Sequence, residues 1–446
     1  MRSLAIVAAA LLALGGVAHA DPKKLTWDDV LRMSLASAKA RMAQGDADYA
    51  AARVKEADAA RLPKAKITMF GTISPEIECD DMYCTHTDPT NFALKFSGFY
   101  GSAQLDITEP LYTFGKIAHA RDAARAGLAA QEALADEAAG DLAVDAARAY
   151  WGVKVARELG GMLDDGIEEI GKALDSRQET DKSGKPTISI QDRQRVAVLL
   201  AEAKAQRAEA AIAEGQALAG LRAIVGDPTA DIDDAPLAAD QRALAAGPAP
   251  YASRPQSRAA KQGAVAADAL AAAAHSAFYP DLAVVGSAVI SRAQGADDPP
   301  SAYAYDPYNR EGAGIVLALQ WQLEPWTTKA KAEEARAAAA KAHAQSDLAA
   351  IGAAYDAESA RAEASGAIDK VTATADGEKA ARTWLASVLQ AEAIGTAESR
   401  DLVDAYVAWF QMRARWAQAV MQWNVAVVRL DRAAGEFHAD GRRPKH

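Results

Sequence analysis

Residues 102–125, SAQLDITEPLYTFGKIAHARDAAR, decide the fold, because the hydrophobic period changes from two to about 3.6 within them. Up to Thr108, Ala103, Leu105 and Ile107 alternate with Gln104, Asp106 and Thr108, the pattern of a strand between oil and water. Pro110 is expected to end that strand. After Gly115, small and charged residues recur at helical spacing without an interior proline until the 180s, much farther than in an ordinary globular helix. A membrane-type strand therefore leads directly into a very long helix.

The same pieces flank this stretch on both sides. Residues 25–62 read as one helix with Thr26 as N-cap, Asp28 and Asp29 in its first turn and Pro63 as its stop. Lys66 to Ser74 alternates, with Ile67, Met69 and Ile73 on one side, and is the expected partner of the strand at 102–109. The segment between them, Pro75 to Tyr100, is too long for a tight turn and suits an outer rim. The long helix is expected over 116–182, about 100 Å at 1.5 Å per residue, and its return over 187–225. Gly226-Asp227-Pro228 stops the return.

The second half gives the same order again, the strongest structural signal in the chain. After a connector at 227–253, a helix leads to strands at 281–291 and 312–323, then to helices at 326–394 and 398–434. Ile315, Leu317, Leu319, Trp321 and Leu323 are expected outward on the last strand, with Pro325 closing it. The organisation is thus a first structural repeat at 21–226, a second at 254–435, and a tail at 436–446.

Met1 to Ala20 reads as a signal peptide, with Arg2, an apolar run at 4–14 and Ala18-His19-Ala20 as the cleavage site. No later stretch is apolar enough to span a bilayer as a helix, since charges interrupt every alanine-rich run. Any crossing must therefore be made by strands closed into a barrel. Four strands cannot close one, so several copies must share it; three copies give about 12 strands and two about eight, with little lumen.

Half of the 446 residues are hydrophobic but only 6% are aromatic, so alanine carries much of the apolar count and the helices pack closely without a fat core. The formal charge of −11 argues against nucleic acid, whose binders need a basic patch. Trp409, Met412, Trp416 and Trp423 fall at near-helical spacing and read as seam packing. His275, His343 and His438 are isolated from one another, and there is no catalytic triad signature, phosphate loop or dinucleotide fingerprint. The expectation is a protein that is not an enzyme and carries no cofactor or metal. Cys79 and Cys84 are the only cysteines; a short disulfide inside the rim loop is the reading for an exported chain, and metal binding with Asp80, Asp81 and His86 has only a lone C-x4-C behind it.

Several motifs carry a resemblance. Glu109-Pro110-Leu111-Tyr112-Thr113-Phe114-Gly115-Lys116 is similar to the strand-exit signature of the TolC-like outer-membrane efflux proteins, and Ala149-Tyr150-Trp151 to the aromatic pair of their long helix. Residues 221–226 (LRAIVG) and 424–435 (NVAVVRLDRAAG) resemble the two return-helix endings. The resemblance spans nearly all of the mature chain. It implies a mainly α fold with a β contribution: a homotrimer whose 12 strands form an outer-membrane β-barrel, continued by a long periplasmic α-helical barrel, with the 227–253 connector in an equatorial region. Implied partners are a periplasmic adaptor, an inner-membrane transporter and outer-membrane lipid, in an efflux or type I secretion system of a Gram-negative bacterium. A periplasmic coiled-coil scaffold or adaptor without a barrel is the competing reading.

The chain departs from the family pattern at the second strand exit, Glu324-Pro325-Trp326-Thr327, which lacks the glycine of the first, and at the first helical tip near Gly184. At the second tip, residues 394–405 (IGTAESRDLVDA) are similar to the segment whose two acids line the family's periplasmic entrance, and these fall on Asp401 and Asp404. A spacing of three puts both carboxylates on one helix face, where they also suit the first turn of a helix. Gly184, Gly395 and Arg400 are the expected tip and adaptor-contact residues, with Ala397 where a gate-locking arginine often stands.

Overall fold

The computed structural model describes residues 24–76, 95–176, 189–244, 254–296, 306, 308–394, 396 and 398–439. The expected signal peptide, Cys79, Cys84, Gly184, Gly395 and Ala397 lie outside them. In chain order the elements are β1 (Lys24–Leu25), α1 (Trp27–Leu35), α2 (Ala38–Ala59), β2 (Lys64–Pro75), β3 (Phe96–Tyr112), α3 (Lys116–Ser176), α4 (Ile190–Val225), β4 (Asp231–Ile232), α5 (Pro255–Ser276), β5 (Asp281–Ala293), β6 (Arg310–Gln320), α6 (Pro325–Ala393) and α7 (Ser399–Ala434). The chain divides into two compact units, one of residues 1–47, 131–259 and 347–446, the other of 48–130 and 260–346.

The second unit holds an antiparallel sheet in the order β2-β3-β5-β6. Its register sorts the side chains by chemistry. Ile67, Leu105, Ala288 and Ala313 face one another across the four strands, and so do Ala65, Ile107, Gly286 and Ile315. The intervening rows are polar: Lys66, Asp106, Ser287 and Gly314, and Phe70, Ser102, Ser291 and Arg310. Because residues two apart share a face, one face is apolar and the other mainly polar. Among the described residues nothing covers the apolar face: Ile67, Met69, Ile315, Leu317 and Leu319 are each at least 65% exposed. Strands β2 and β6 are the sheet's two edges.

The strands run longer than the alternation suggested, and Pro110 does not end β3. The register shifts between Pro110 and Tyr112, so the residue without an N–H sits at an irregularity where a ladder bond is dispensable. The turn comes at Phe114 and Gly115, with φ of 50° and 93°, and α3 begins at the next residue. Gly115 is required there, since a side chain would adopt the left-handed region and meet His119 at 2.9 Å. The second exit is built differently. Pro325 does not close a strand; β6 stops at Gln320, and Pro325 is the first residue of α6, where its fixed φ suits a helix start.

The expected single helix at 25–62 is two. Thr26 caps α1 through a capping box with Asp29, and the helix ends at Leu35 with Ala36 as its C-cap. Ser34 Oγ donates to Leu31 O, and Ser37 Oγ accepts from Ala40 N, so hydroxyls take over backbone partners at the break. The other helices start or stop within a few residues of expectation: α5 ends at Ser276, α6 at Ala393, and α7 starts at Ser399 with Glu398 as N-cap.

In the first unit the helices bury alanine. Ala143, Ala146, Ala147, Ala353, Ala364, Ala417 and Ala426 are all fully buried, which lets helix backbones approach closely. The thin side chains leave room for arginine–carboxylate pairs between helices. Arg254 is 1% exposed and reaches Asp356 at 2.7 Å, while Arg432 reaches Glu137 at 2.7 Å. A short parallel pairing of β1 with β4, absent from the sequence reading, ties the start of the described chain to the connector. Behind it, buried Lys154 donates to Asp233 Oδ1, Asp233 O and Ala235 O, and the Tyr150 hydroxyl donates to Asp233 Oδ2 at 3.2 Å.

Candidate functional site

The α6–α7 end of the first unit holds Asp401, Asp404 and Arg400. The orientation of α7 there is fixed by an apolar stripe. Leu402, Ala405, Tyr406 and Phe410 are buried in one cluster with Leu385 and Val388 of α6, Met162, Leu163 and Ile170 of α3, and Val196, Leu199 and Ala203 of α4. With that stripe turned inward, helical spacing leaves Asp401 and Asp404 on the solvent side, and both are exposed. The helix start agrees: Glu398 makes no side-chain cap, its carbonyl accepts from Asp401 and Leu402, and Asp401 lies in the positive first turn.

Arg400 does not reach across to another helix among the described residues. Its Nε lies 3.7 Å from Asp404 Oδ2 on the same helix, an exposed pair of small energetic weight. At the end of α6, Thr396 N and Oγ1 both donate to Ala391 O, closing the last turn. Gly184, Gly395 and Ala397, named from the sequence for the two tips, are outside the described residues.

Acidity at this end extends beyond the two aspartates. Asp164, Asp165, Glu168 and Glu169 are exposed on α3, with Lys172 bridging Glu168 at 2.7 Å and Glu169 at 2.9 Å, and Arg207 of α4 bonding Asp164 at 2.8 Å. Burial, followed by the carboxylates of Glu169 and Glu392, pushes the Tyr406 phenol up to about 12. Acids of α3 and α6 thus act on a side chain of α7. The run DDGIEE at 164–169 carried this signal in the sequence, but only the packing of α3 against α7 brings it to the site.

A groove of about 950 Å³ lies beside the cluster between α4 and α7, lined by the apolar Val198, Leu199, Val407 and Phe410 and the polar Gln194, Arg195 and Gln411. The aromatic series along α7 is packing. Trp423 is buried with its indole N–H on Asp240 O at 2.8 Å, Trp416 lies under the Arg413 guanidinium at 4.4 Å, and Trp409 packs beside Phe410. Arg413 also pairs with Glu158 of α3 and, at 3.4 Å, with Glu378 of α6. No group of three or more His, Cys, Asp and Glu is placed to hold a metal, and no helix is long and apolar enough to cross a membrane, among the described residues.

Residues 251–436 match the family model for outer membrane efflux proteins. No curated protein matches the chain in sequence. Solved structures share the fold over almost all of it. A membrane protein from Pseudomonas aeruginosa aligns at TM-score 0.75 and 20% identity, covering 93% of this chain and 91% of its own. The MtrE outer membrane channel of Neisseria gonorrhoeae, in its open state, aligns at 0.75 and 18%, covering 94% and 91%. The CmeC outer membrane channel of Campylobacter jejuni aligns at 0.74 and 14%, covering 93% and 87%. Family and neighbours are channel proteins of the outer membrane, not enzymes. Residues 251–436 are thus similar to the outer membrane efflux proteins, and across more than nine-tenths of its length the chain has the fold of solved outer-membrane channels such as MtrE and CmeC.

Proposed function

We propose that the protein is the exit duct of a tripartite efflux or type I secretion system, conducting substrates passively from a periplasmic adaptor and an inner-membrane pump to the exterior. Three copies close a 12-stranded barrel, the helices continue it through the periplasm, and the element order from α2 to α4 repeats from α5 to α7. One observation carries this reading: a four-stranded sheet that, among the described residues, has one apolar, uncovered face and two unpaired edges. In water, burying each large aliphatic side chain of that face would return about 1.5–3 kcal/mol. In a bilayer, open edges would leave backbone groups without partners. Lipid against the face and neighbouring copies at both edges meet these demands together. A periplasmic scaffold without a barrel has no use for either feature.

Asp401 and Asp404 are proposed to line the periplasmic entrance, where three copies stack two acidic rings that attract cations and obstruct anions. Arg400, with Gly184 and Gly395, belongs to the helical tips that an adaptor contacts, and the groove between α4 and α7 is suited to take an apolar helix face from it. In the rim loop, a disulfide between Cys79 and Cys84 is proposed. The test is fractionation followed by conductance measurement. Heat-modifiable, detergent-resistant trimers in the outer-membrane fraction that open channels in planar bilayers are expected; a monodisperse soluble monomer that needs no detergent would overturn the reading.

A further inference from the structure

The two faces of the sheet treat charge differently. On the apolar face, Arg292 of β5 is neutralised by Glu311 of β6. On the polar face the register places Lys64, Lys66, Asp106, Asp281 and Arg310. Lys116 takes Asp281 at 2.9 Å. Asp106 lies opposite Lys66 in the ladder, yet it is the Gln104 amide that donates to both of its oxygens, at 2.8 and 3.1 Å. Lys64, Lys66 and Arg310 are exposed and form no ion pair among the described residues. In a chain of formal charge −11, this face therefore carries an excess of cations.

We infer that Lys64, Lys66 and Arg310 make the lumen of the barrel an anion-attracting surface, which draws in solutes bearing carboxylate or phosphate groups and is opposite in sign to the entrance proposed for Asp401 and Asp404. The inference rests on the proposed reading of the polar face as the lumen of a three-copy barrel. Lys64 and Lys66 lie about 7 Å apart along β2, and Arg310 shares the row of Phe70, about 13 Å beyond Lys66. These steps are close to the roughly 10 Å Debye length of 0.1 M salt, so the three levels act as one field. All three cations stand on the edge strands, where neighbouring copies meet. On this face β2 continues with Thr68, Phe70 and Thr72, and β6 with Gly312, Gly314, Val316, Ala318 and Gln320. Neither edge offers an acid there, so closing the seam leaves the cations unneutralised whichever register it takes. Set against Asp106, they leave an excess of two positive charges per copy. A confined wall of one sign raises the local concentration of counter-ions and their rate of arrival by about tenfold or more.

The test places one thiol per copy beside the cations. Thr68→Cys, between Lys66 and Phe70 on the same face, is made in full-length protein with Cys79→Ser and Cys84→Ser, which removes the native cysteines. Its reaction with sulfonatoethyl and with trimethylammonioethyl methanethiosulfonate, each scaled to free cysteine, reads the local potential. In about 0.1 M salt the anionic reagent should be favoured about tenfold or more, and the preference should shrink near 1 M, where the Debye length falls to about 3 Å. Adding Lys64→Gln, Lys66→Gln and Arg310→Gln should equalise the reagents, whereas Arg292→Gln with Glu311→Gln, on the other face, should leave the preference in place. A thiol that both reagents reach equally at 0.1 M, or a preference that survives loss of the three cations, overturns the inference and leaves the duct; Lys64 and Lys66 would then be edge-strand guards against aggregation. A thiol that neither water-soluble reagent reaches in the assembled protein overturns both, since the polar face would not line a lumen.

Discussion

Lys154→Met tests what holds the connector against α3. The ammonium is 5% exposed and has three oxygen acceptors, Asp233 Oδ1, Asp233 O and Ala235 O, while Asp233 Oδ2 also accepts from Tyr150. Methionine fills similar volume but takes the ammonium from two carbonyls and from the carboxylate, which keeps only the Tyr150 hydroxyl and Ala235 N as donors. Removing one partner of a fully buried pair costs about 3–5 kcal/mol. Asp233 is a quarter exposed and can recruit water, so about 2–3 kcal/mol is expected here, or a loss of roughly 30- to 160-fold in protection against local opening. Native-state hydrogen exchange of peptides covering 228–240 reads that opening directly. Asp233→Asn on the Lys154→Met background should recover part of the loss by removing the stranded charge, and Tyr150→Phe, which gives up one 3.2 Å bond, should cost only about 0.5–1.5 kcal/mol. Protection unchanged within threefold in Lys154→Met would mean that the β1–β4 pairing, Arg157 on Asp231 and the Trp423 and Asn424 contacts secure the connector without Lys154, and the reasoning fails.

Three further outcomes are expected. Asp401→Asn with Asp404→Asn should lower cation selectivity and block by multivalent cations in planar bilayers while leaving trimer stability unchanged or raised, since like charges around an axis repel; unchanged selectivity would turn these residues into helix-start acids only. Tyr406 is held protonated to about 12 in the folded chain against 10.0 for a free phenol. Its contribution is therefore complete below pH 10 and lost as pH rises from 10 to 12, about 2–3 kcal/mol in all, and Tyr406→Phe should remove that alkaline loss in denaturant titrations. Gly166→Ala should destabilise by about 1–3 kcal/mol, because the new methyl would run into the Phe410 ring inside a packed cluster. Gly377→Ala, facing the mobile end of Met412, should be near neutral, and equal denaturation midpoints for the two variants would refute the packing argument.

What the sequence made legible was local. The alternation at 66–74 and 102–109 needed only neighbouring residues, and so did the Thr26 cap and the glycine stops that close α4 and α7 with left-handed Gly226 and Gly435. The missing glycine at the second strand exit was also readable, and there β6 stops at Gln320 and α6 begins on Pro325 without a left-handed turn residue among the described ones. Prolines misled because their effect depends on position: Pro110 sits at a register shift inside a strand and Pro325 inside a helix start, where a stop was expected in both places. The Ser34 and Ser37 hydroxyls that divide α1 from α2 were present in the sequence, but an uninterrupted apolar pattern outweighed them.

The candidate site divides along the same line. Asp401 and Asp404 share a face because of helical geometry alone, which a spacing of three reveals. The field around them does not follow from spacing. Glu169 acts on Tyr406 across 237 residues of sequence, because Ile170 of α3 and Tyr406 of α7 are buried in one cluster, and nothing in either segment names the other. Alanine-faced helices make such pairings especially hard to read. A stripe of leucines or aromatics restricts which partner fits it, whereas a stripe of alanine accepts almost any other, so the choice falls to sparse polar contacts such as Arg254 with Asp356, Arg432 with Glu137 and Arg413 with Glu158. In this chain alanine sets how closely the helices approach, and the arginines select which helices they are.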